Sequence, residues 1–404
     1  MSTSLLYHGW GLKGYHYVRT EYAQGKILFT VQAASGTLAC PACGCRQLIH
    51  HGGTERIWRQ VPIGSKPVFI RMRIPRVECR KCKTIRQVEV GFAAPRYTYT
   101  RQFERYALEL CRHMTIRDVA RHLQVGWDRI KEIQKRFLKR RFARPKLETL
   151  RQIAIDEISI GEGQRYLTVV LDLDSGAVVF VGQGNGAEAL VPFWRRLKRS
   201  QACVEAVAMD MSKAYIPAVR DPLASATIVF DHFHGIKLFH DQLQEFRRQL
   251  FHKASSDLEK RVLKGTRWLL LKNPENLVEA RNERQRLQKA LELNQPLATV
   301  YSMKEDLRQL GLQKNRSQAA RFLCDWIARA QASGISMLKR FAKTLQTHFD
   351  GILAYYTYPI STGPLEGTNH KIKTMKRQAY GYRDTEFFIL KILGLHLTKY
   401  ALVG

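Results

Sequence analysis

Residues 151–160 read RQIAIDEISI, and the reading of this stretch decides the fold. Four isoleucines in ten residues, with charge before and glycine after, describe a short buried strand. Asp156 and Glu157 stand in its middle. A carboxylate in an apolar strand loses hydration and must find a partner, a proton or a metal. The chain around it carries formal net charge +31, from 66 Lys+Arg against 35 Asp+Glu. Such a chain is suited to polyanions, so an acidic strand inside it suggests a metal held against phosphates. On this stretch alone, an arginine partner would satisfy the acid equally well.

The 404 residues exceed one ordinary core, which predicts about two to four domains. Hydrophobic content of 45% with 25% charged residues describes a globular chain. The excess of cations favours DNA or RNA through phosphate contacts. A membrane surface would attract the same charge, but no apolar run of roughly 18 residues and no signal peptide is present. The expectation is a cytoplasmic protein with no membrane partner.

Downstream, Gly161–Gln164 leads into Tyr166–Leu173, the turn Asp174-Ser175-Gly176 and a third strand, Val178–Gly182. Ala187–Arg199 has helical spacing, Val204–Asp210 is a fourth strand ending in an acid, Lys213–Val219 is helical, and Thr227–Phe230 is a fifth strand. Three antiparallel strands, helix, strand, helix, strand is the element order of a ribonuclease H-like fold, a five-stranded mixed sheet. In that fold the first and fourth strands are neighbours, so Asp156 and Asp210 should face each other. Two carboxylates so placed repel unless a cation lies between them. Hard oxygen ligands select Mg²⁺ or Mn²⁺, and such a site usually needs a third acid.

Residues 241–355 read as an all-helical insertion, rich in Arg, Lys, Leu and Gln, that interrupts a core spanning 151–240 and 356–404. After it, Thr362-Gly363-Pro364 is a helix-start signal with Glu366 in the first turn and Lys371, Lys373, Lys376 and Arg377 following. Glu366 is the candidate third ligand, and those cations are candidates to hold DNA phosphates. Ordinary complementation of the helix dipole would place an acid there too. Phe387–Tyr400 reads as an apolar closing helix.

Upstream, residues 96–145 have the pattern of a helix-turn-helix. Phe103–Met114 and Thr115–Gln124 are helical, Thr115 and Asp118 form a capping box, Val125-Gly126-Trp127 turns, and Asp128 caps a helix to Arg141. In that geometry the second helix enters the major groove, with Arg129, Lys131 and Lys135 facing DNA. A pair of helices with a solvated basic face is the ordinary alternative.

Residues 1–95 hold two Cys-x-x-Cys pairs, Cys40/Cys43 and Cys79/Cys82, separated by short strands at Ile57–Val61 and Pro67–Ile74. Lys26–Gln32 is another strand. Tetrahedral Zn²⁺ takes two ligands from each tight knuckle, so this is a zinc-ribbon pattern. Cys45, His50 and His51 are competing ligands, and most of the unpaired cysteines, Cys45, Cys111, Cys203 and Cys324, read as core residues.

Taken together, CPAC (40–43), VECRKC (77–82), WRQVPIGSKPVFIRMRI (58–74), the helix-turn-helix, IAIDEISI (153–160), AVAMDMSKAY (206–215), IVFDHFHGIKL (228–238), RWLLLKNPENL (267–277) and GPLEGTNHKIKTMKRQAYGYRD (363–384) resemble bacterial insertion-sequence transposases of the DDE type, specifically the ISL-three family. The likeness runs over nearly the whole chain. It implies that terminal inverted repeats are bound by the N-terminal modules and that double-stranded DNA, both element ends and target, is cut and joined with Mg²⁺. It implies a dimer or higher assembly on DNA, since two ends must meet. Residue by residue it puts the triad on Asp156, Asp210 and Glu366, and selects Asp156 over Glu157. Asp231 and His234 fit a D-x-x-H signature with a supporting or DNA-contacting role. Trp268 falls where related enzymes can stack a flipped base, although a core tryptophan is the simpler reading. His370 stands where the family pattern suggests asparagine. A non-catalytic DNA-binding regulator and a ribonuclease H-like nuclease without strand transfer are the alternative functions; the retained acids and the N-terminal modules weigh against them.

Overall fold

The computed structural model describes residues 5–161, 165–212 and 215–397. The expected turn at 162–164, the start of the 213–219 helix and the end of the closing helix beyond residue 397 lie outside the described residues. The chain forms two compact units, residues 1–143 with 374–404, and residues 144–373.

The first unit has a sheet of β1 (Tyr15–Ala23), β2 (Lys26–Ala33), β3 (Leu48–Ile63), β4 (Lys66–Cys79) and β5 (Ile85–Gln87). The order is β1-β2-β4-β3, with β5 also paired to β4. Alternating apolar residues Val68, Ile70, Met72 and Ile74 point into a core with Trp10, Phe29 and Trp58. β3 and β4 are much longer than the expected Ile57–Val61 and Pro67–Ile74. The added half of β3, Leu48–Glu55, is mostly exposed; it is held by its pairing, from Leu48 opposite Cys79 to Glu55 opposite Arg73, with the His51–Glu78 ion pair and the packing of Leu48 on the core beside it. No burial pattern marks such a strand in sequence.

Three helices follow, Arg101–Leu110, Ile116–His122 and Trp127–Phe142. Thr115 Oγ1 accepts from the Asp118 N–H at 3.1 Å and donates to Asp118 Oδ2 at 2.6 Å. The third helix starts two residues earlier than expected: Gly126 is its N-cap, and Asp128 lies in its first turn. Buried Arg59 on β3 donates to Leu123 O at 2.8 Å, and Thr100, which caps the first helix, donates to Gln60 Oε1 at 2.8 Å. The sheet thus grips the helix-turn-helix at its turn and its entry. The closing segment, expected to finish the other domain, packs here. Its helix Thr385–Leu393 brings Gly394 against Leu138 and Phe142, where a Cβ would crowd both side chains.

The second unit contains β6 (Gln152–Gly161), β7 (Arg165–Asp172), β8 (Val178–Gln183), β9 (Ala206–Met209) and β10 (Thr227–Phe230). The sheet order is β10-β9-β6-β7-β8. β6, β7 and β8 pair antiparallel, while β6–β9 and β9–β10 are parallel. In sequence order this is strand three, two, one, four, five, the mixed sheet that the element order predicts. Helices Val191–Ser200 and Tyr215–Arg220 make the crossovers. Between β10 and the helix Gly363–Gln378 lies an all-helical segment beginning with His232–Lys253, and its core centres on Phe239, Trp326 and Phe341. Any side chain at Gly351 would run into the Phe230 ring, so glycine lets this segment's last α-helix seat on β10.

Candidate active site and metal centres

β6 and β9 run parallel with Gln152, Ile153 and Ala154 opposite Ala206, Val207 and Ala208. Continuing that register by two residues sets Asp156 beside Asp210, just past the end of β9. Asp156 Oδ1 accepts from the Glu157 N–H at 2.8 Å, and its Oδ2 accepts from Asn369 Nδ2 at 2.8 Å. Asp210 Oδ1 accepts from the Ser212 N–H at 3.1 Å.

Glu366 comes from the first turn of the helix Gly363–Gln378. The start of that helix is fixed from β10. Buried Asp231, just past the strand, accepts from Thr362 through both its N–H at 3.0 Å and its hydroxyl at 2.7 Å. His234, one turn on, places Nδ1 3.4 Å from Thr362 Oγ1 and Nε2 3.6 Å from Glu366 Oε1. The D-x-x-H pair therefore braces the segment that presents the third acid.

Burial raises the pKa of Asp156; the Glu157 N–H and His234 oppose the rise, and the charges of Asp210 and Glu366 add to it. Those groups therefore surround it electrostatically. Glu157 is raised as well, by burial and then by Asp210 and Asp156. It points to Tyr215, whose hydroxyl lies 2.7 Å from Thr168 Oγ1 and is pushed up to about 12, chiefly by burial. Alternation along β6 thus separates the two neighbours: Asp156 meets the Glu366 helix, Glu157 meets Tyr215.

The donor set suits a hard cation. It is all oxygen, it is acidic, and one more buried oxygen on the Glu366 helix, Asn369 Oδ1, has no hydrogen-bond partner.

In the first unit the Sγ atoms of Cys40, Cys43, Cys79 and Cys82 all lie within 4.8 Å of one another. Cys40–Cys82 is 3.7 Å and Cys43–Cys79 3.5 Å. Zn–S bonds of about 2.3 Å in a tetrahedron set the sulfurs roughly 3.8 Å apart, so the four fit zinc. The two knuckles share one geometry. Gly44 and Lys83 both take left-handed backbone (φ +71° and +56°), and each donates its N–H to the carbonyl of its knuckle's first cysteine at 2.9 Å. Backbone N–H groups from Ala42 and Cys43 lower the pKa of the Cys40 thiol, and those of Cys82 and Lys81 lower that of Cys79. Cys45 is not part of the cluster, and His51 pairs with Glu78 at 3.0 Å. Of the unpaired cysteines only Cys111 is buried; Cys203 and Cys324 are exposed, contrary to the expectation of core positions.

Other expected contacts fall differently. Arg129 is exposed on the third helix. Lys131 and Lys135 are turned instead to Asp384, each at 3.0 Å, and Lys135 and Lys139 both reach Glu386 at 2.8 Å. These two expected DNA-facing lysines are thus engaged by acids of the closing segment. Lys371, Lys373 and Arg377 are exposed along the Glu366 helix, and Lys376 is half-buried. Trp268 is not a core residue: it is 64% exposed, with the Arg267 guanidinium 4.6 Å above its ring. The sequence marks Thr362 only as part of a helix-start signal and gives no role to Asn369 or Tyr215. The three-residue step from Glu366 to Asn369, which puts both on one helix face, was the available signal for Asn369.

Three family profiles match the chain. One described as "Transposase" matches residues 153–392, one described as a helix-turn-helix domain of transposase family ISL3 matches 88–138, and one described as a zinc-finger of transposases matches 37–82. The transposase for insertion sequence element IS1001 of Bordetella parapertussis is 32% identical over 390 residues, 95% of each chain. The transposase for insertion sequence element IS1557 of Mycobacterium tuberculosis is 27% identical over 393 residues, 90% of this chain and 87% of the relative. Among solved structures, the Drosophila P element transposase strand transfer complex matches 64% of this chain and 79% of that chain at 12% identity, with a TM-score of 0.36.

Proposed function

The chain belongs to the ISL3 family of insertion-sequence transposases, and on that premise we propose that Asp156, Asp210 and Glu366 are its catalytic acids and hold Mg²⁺ or Mn²⁺. The observation that carries this reading is the β6–β9 register, which sets two acids side by side, together with the Asn369–Asp156 hydrogen bond, which brings the helix of the third acid to the first. A cation held there would activate a water or a 3′-hydroxyl and stabilise the leaving oxygen in an in-line displacement at phosphorus.

The chain's own residues supply position and charge, the main demands of phosphoryl transfer. Asp156 on β6 and Asp210 just past β9 would hold the cation between them. Glu366 adds its carboxylate from the helix start, with His234 orienting it and Asp231 anchoring Thr362 beneath it. Lys371, Lys373, Lys376 and Arg377 follow on the same helix as cations for the DNA backbone. Arg129 reads the element's terminal inverted repeats from the helix-turn-helix, and zinc held by the four cysteines would fix the β3–β4 hairpin that grips that module. Trp268, braced by Arg267, offers an exposed aromatic face for stacking on a base. Buried Lys304 keeps it in place by donating to Leu270 O at 2.9 Å and Lys272 O at 3.1 Å. Two element ends must be joined to one target, which calls for at least a dimer on DNA.

The test is cleavage of labelled duplex carrying the element's own ends. Nicking at the ends with Mg²⁺, none when Mg²⁺ is left out and the zinc retained, and none with Asp156→Ala supports the reading. Nicking that persists in Asp156→Ala, or its absence from the wild type under all divalent metals, overturns it.

A further inference from the structure

The helix that carries Glu366 carries Asn369 on the same face, one turn on. Asn369 is 5% exposed. Its Nδ2 donates to Asp156 Oδ2, while Asp156 Oδ1 is held by the Glu157 N–H. Both carboxylate oxygens are therefore fixed by donors, one from the strand's own backbone and one from a helix 213 residues away in sequence. Asn369 Oδ1 is buried without a protein partner.

We propose that Asn369 is the positioning residue of the cation site: it sets the orientation of the Asp156 carboxylate and docks the Glu366 helix on β6, so that two acids arrive as a pair. This rests on the reading of Asp156, Asp210 and Glu366 as the acids that hold the metal. The residue type fits the task. A lysine at 369 would neutralise Asp156 and compete with the cation, and an aspartate would add one more negative charge to a crowded site. An amide donates without charge and leaves the full charge of Asp156 for the metal. A buried amide oxygen with no partner is costly as a purely structural feature. Beside a hydrated cation it has a use, as an acceptor for the cation's water, the kind of outer contact that tunes a metal site. Strand and helix positions that meet only in the fold explain why the pair is invisible from either segment alone.

The experiment is Mn²⁺ binding to the zinc-loaded full chain dialysed free of Mg²⁺ and Mn²⁺, read by the paramagnetic resonance of free Mn²⁺, with unfolding temperature without added Mn²⁺ measured alongside. The proteins are the wild type, Asp156→Ala, Asn369→Ala, Asn369→Leu and the exposed control His370→Ala. Asn369→Leu keeps close to the amide's volume, so one folded variant is available if Asn369→Ala unfolds. The expected result is a 10–100-fold weaker Mn²⁺ affinity for the Asn369 variants, wild-type affinity for His370→Ala, and end cleavage that returns in Asn369→Leu, but not in Asp156→Ala, as Mn²⁺ is raised. If Asp156→Ala loses binding while folded Asn369 variants stay within about twofold of wild type, the positioning role is wrong and the acids stand. If Asp156→Ala binds Mn²⁺ as the wild type does, the acids and the positioning role fall together.

Discussion

Asp231 and Thr362 are 131 residues apart and meet in a double hydrogen bond, the Asp231 carboxylate accepting from both the N–H and the hydroxyl of Thr362. Both residues are buried. The pair pins the start of the Glu366 helix to the end of β10. Thr362→Val keeps the shape and the N–H bond but removes the hydroxyl. Denaturant unfolding should show a loss of about 1–3 kcal/mol, and end cleavage should fall with DNA affinity unchanged. Weaker DNA binding at unchanged stability would contradict this.

The cysteine cluster predicts that the protein purifies with zinc and that Cys79→Ser does not retain it. Metal analysis by atomic emission checks the content. The ribbon's small core leaves much of its stability to the metal, so chelation should abolish a low-temperature unfolding step and end binding together. A Cys79→Ser protein that keeps zinc and binds ends normally would contradict the assignment.

Lys391 offers a pH test. Its side chain is 3% exposed, its amine has no hydrogen-bond partner, and burial lowers its pKa from 10.5 to about 8, with the Cys111 thiol opposing the shift. Below about 8 the folded protein carries the full cost of a buried ammonium, about 3 kcal/mol. Between about 8 and 10.5 the folded state binds fewer protons than the unfolded one, so stability rises with pH across that window. Lys391→Met should raise the unfolding temperature at pH 7 and flatten the alkaline rise. Scanning calorimetry from pH 7 to 10 measures both.

Asp384 and Glu386 clasp the lysines of the third helix, and Asp384 also caps its own helix by accepting from the Phe387 N–H at 3.0 Å. Asp384→Asn preserves the cap, and Glu386→Gln keeps the shape. Together they release Lys131, Lys135 and Lys139. The double variant should bind random duplex more tightly at low salt, with the slope of log affinity against log salt steeper by roughly 2, the loss of about two to three counterions. Fluorescence anisotropy across a salt series gives the slope. An unchanged slope means that these lysines do not reach DNA even when free.

The sheet of the second unit was legible because its strands are apolar runs bounded by turns; Thr227–Phe230 matches to the residue. The order of elements then placed Asp156 near Asp210. What stayed hidden depends on partners far away in sequence. Lys131 and Lys135 read as free cations because nothing local shows Asp384, which meets Lys135 from 249 residues on. Trp268, which heads a run of three leucines, was expected in the core. Leu269 and Leu270 are buried while the tryptophan that heads the run stays outside, and buried Trp326 supplies the core indole instead. The outer half of β3 left no trace because a ladder can hold polar residues that no apolar face requires. At the third helix, Gly126 and Asp128 are both acceptable caps, and the extended backbone of Gly126 (φ −63°, ψ 143°) decides between them.

The hydrogen bond between Asp156 and Asn369 spans 213 residues of chain. At synthesis rates of about 5–20 residues per second, roughly 10–40 s separate the emergence of the first acid from that of its partner helix. On the proposed reading of the acids, a nascent chain has made Asp156 and Asp210 long before the helix that carries Glu366 and Asn369 can dock on β6. The topology acts as a timer: the proposed cutting centre closes only after most of the polypeptide has left the ribosome, and the closing helix Thr385–Leu393 that completes the first unit emerges later still.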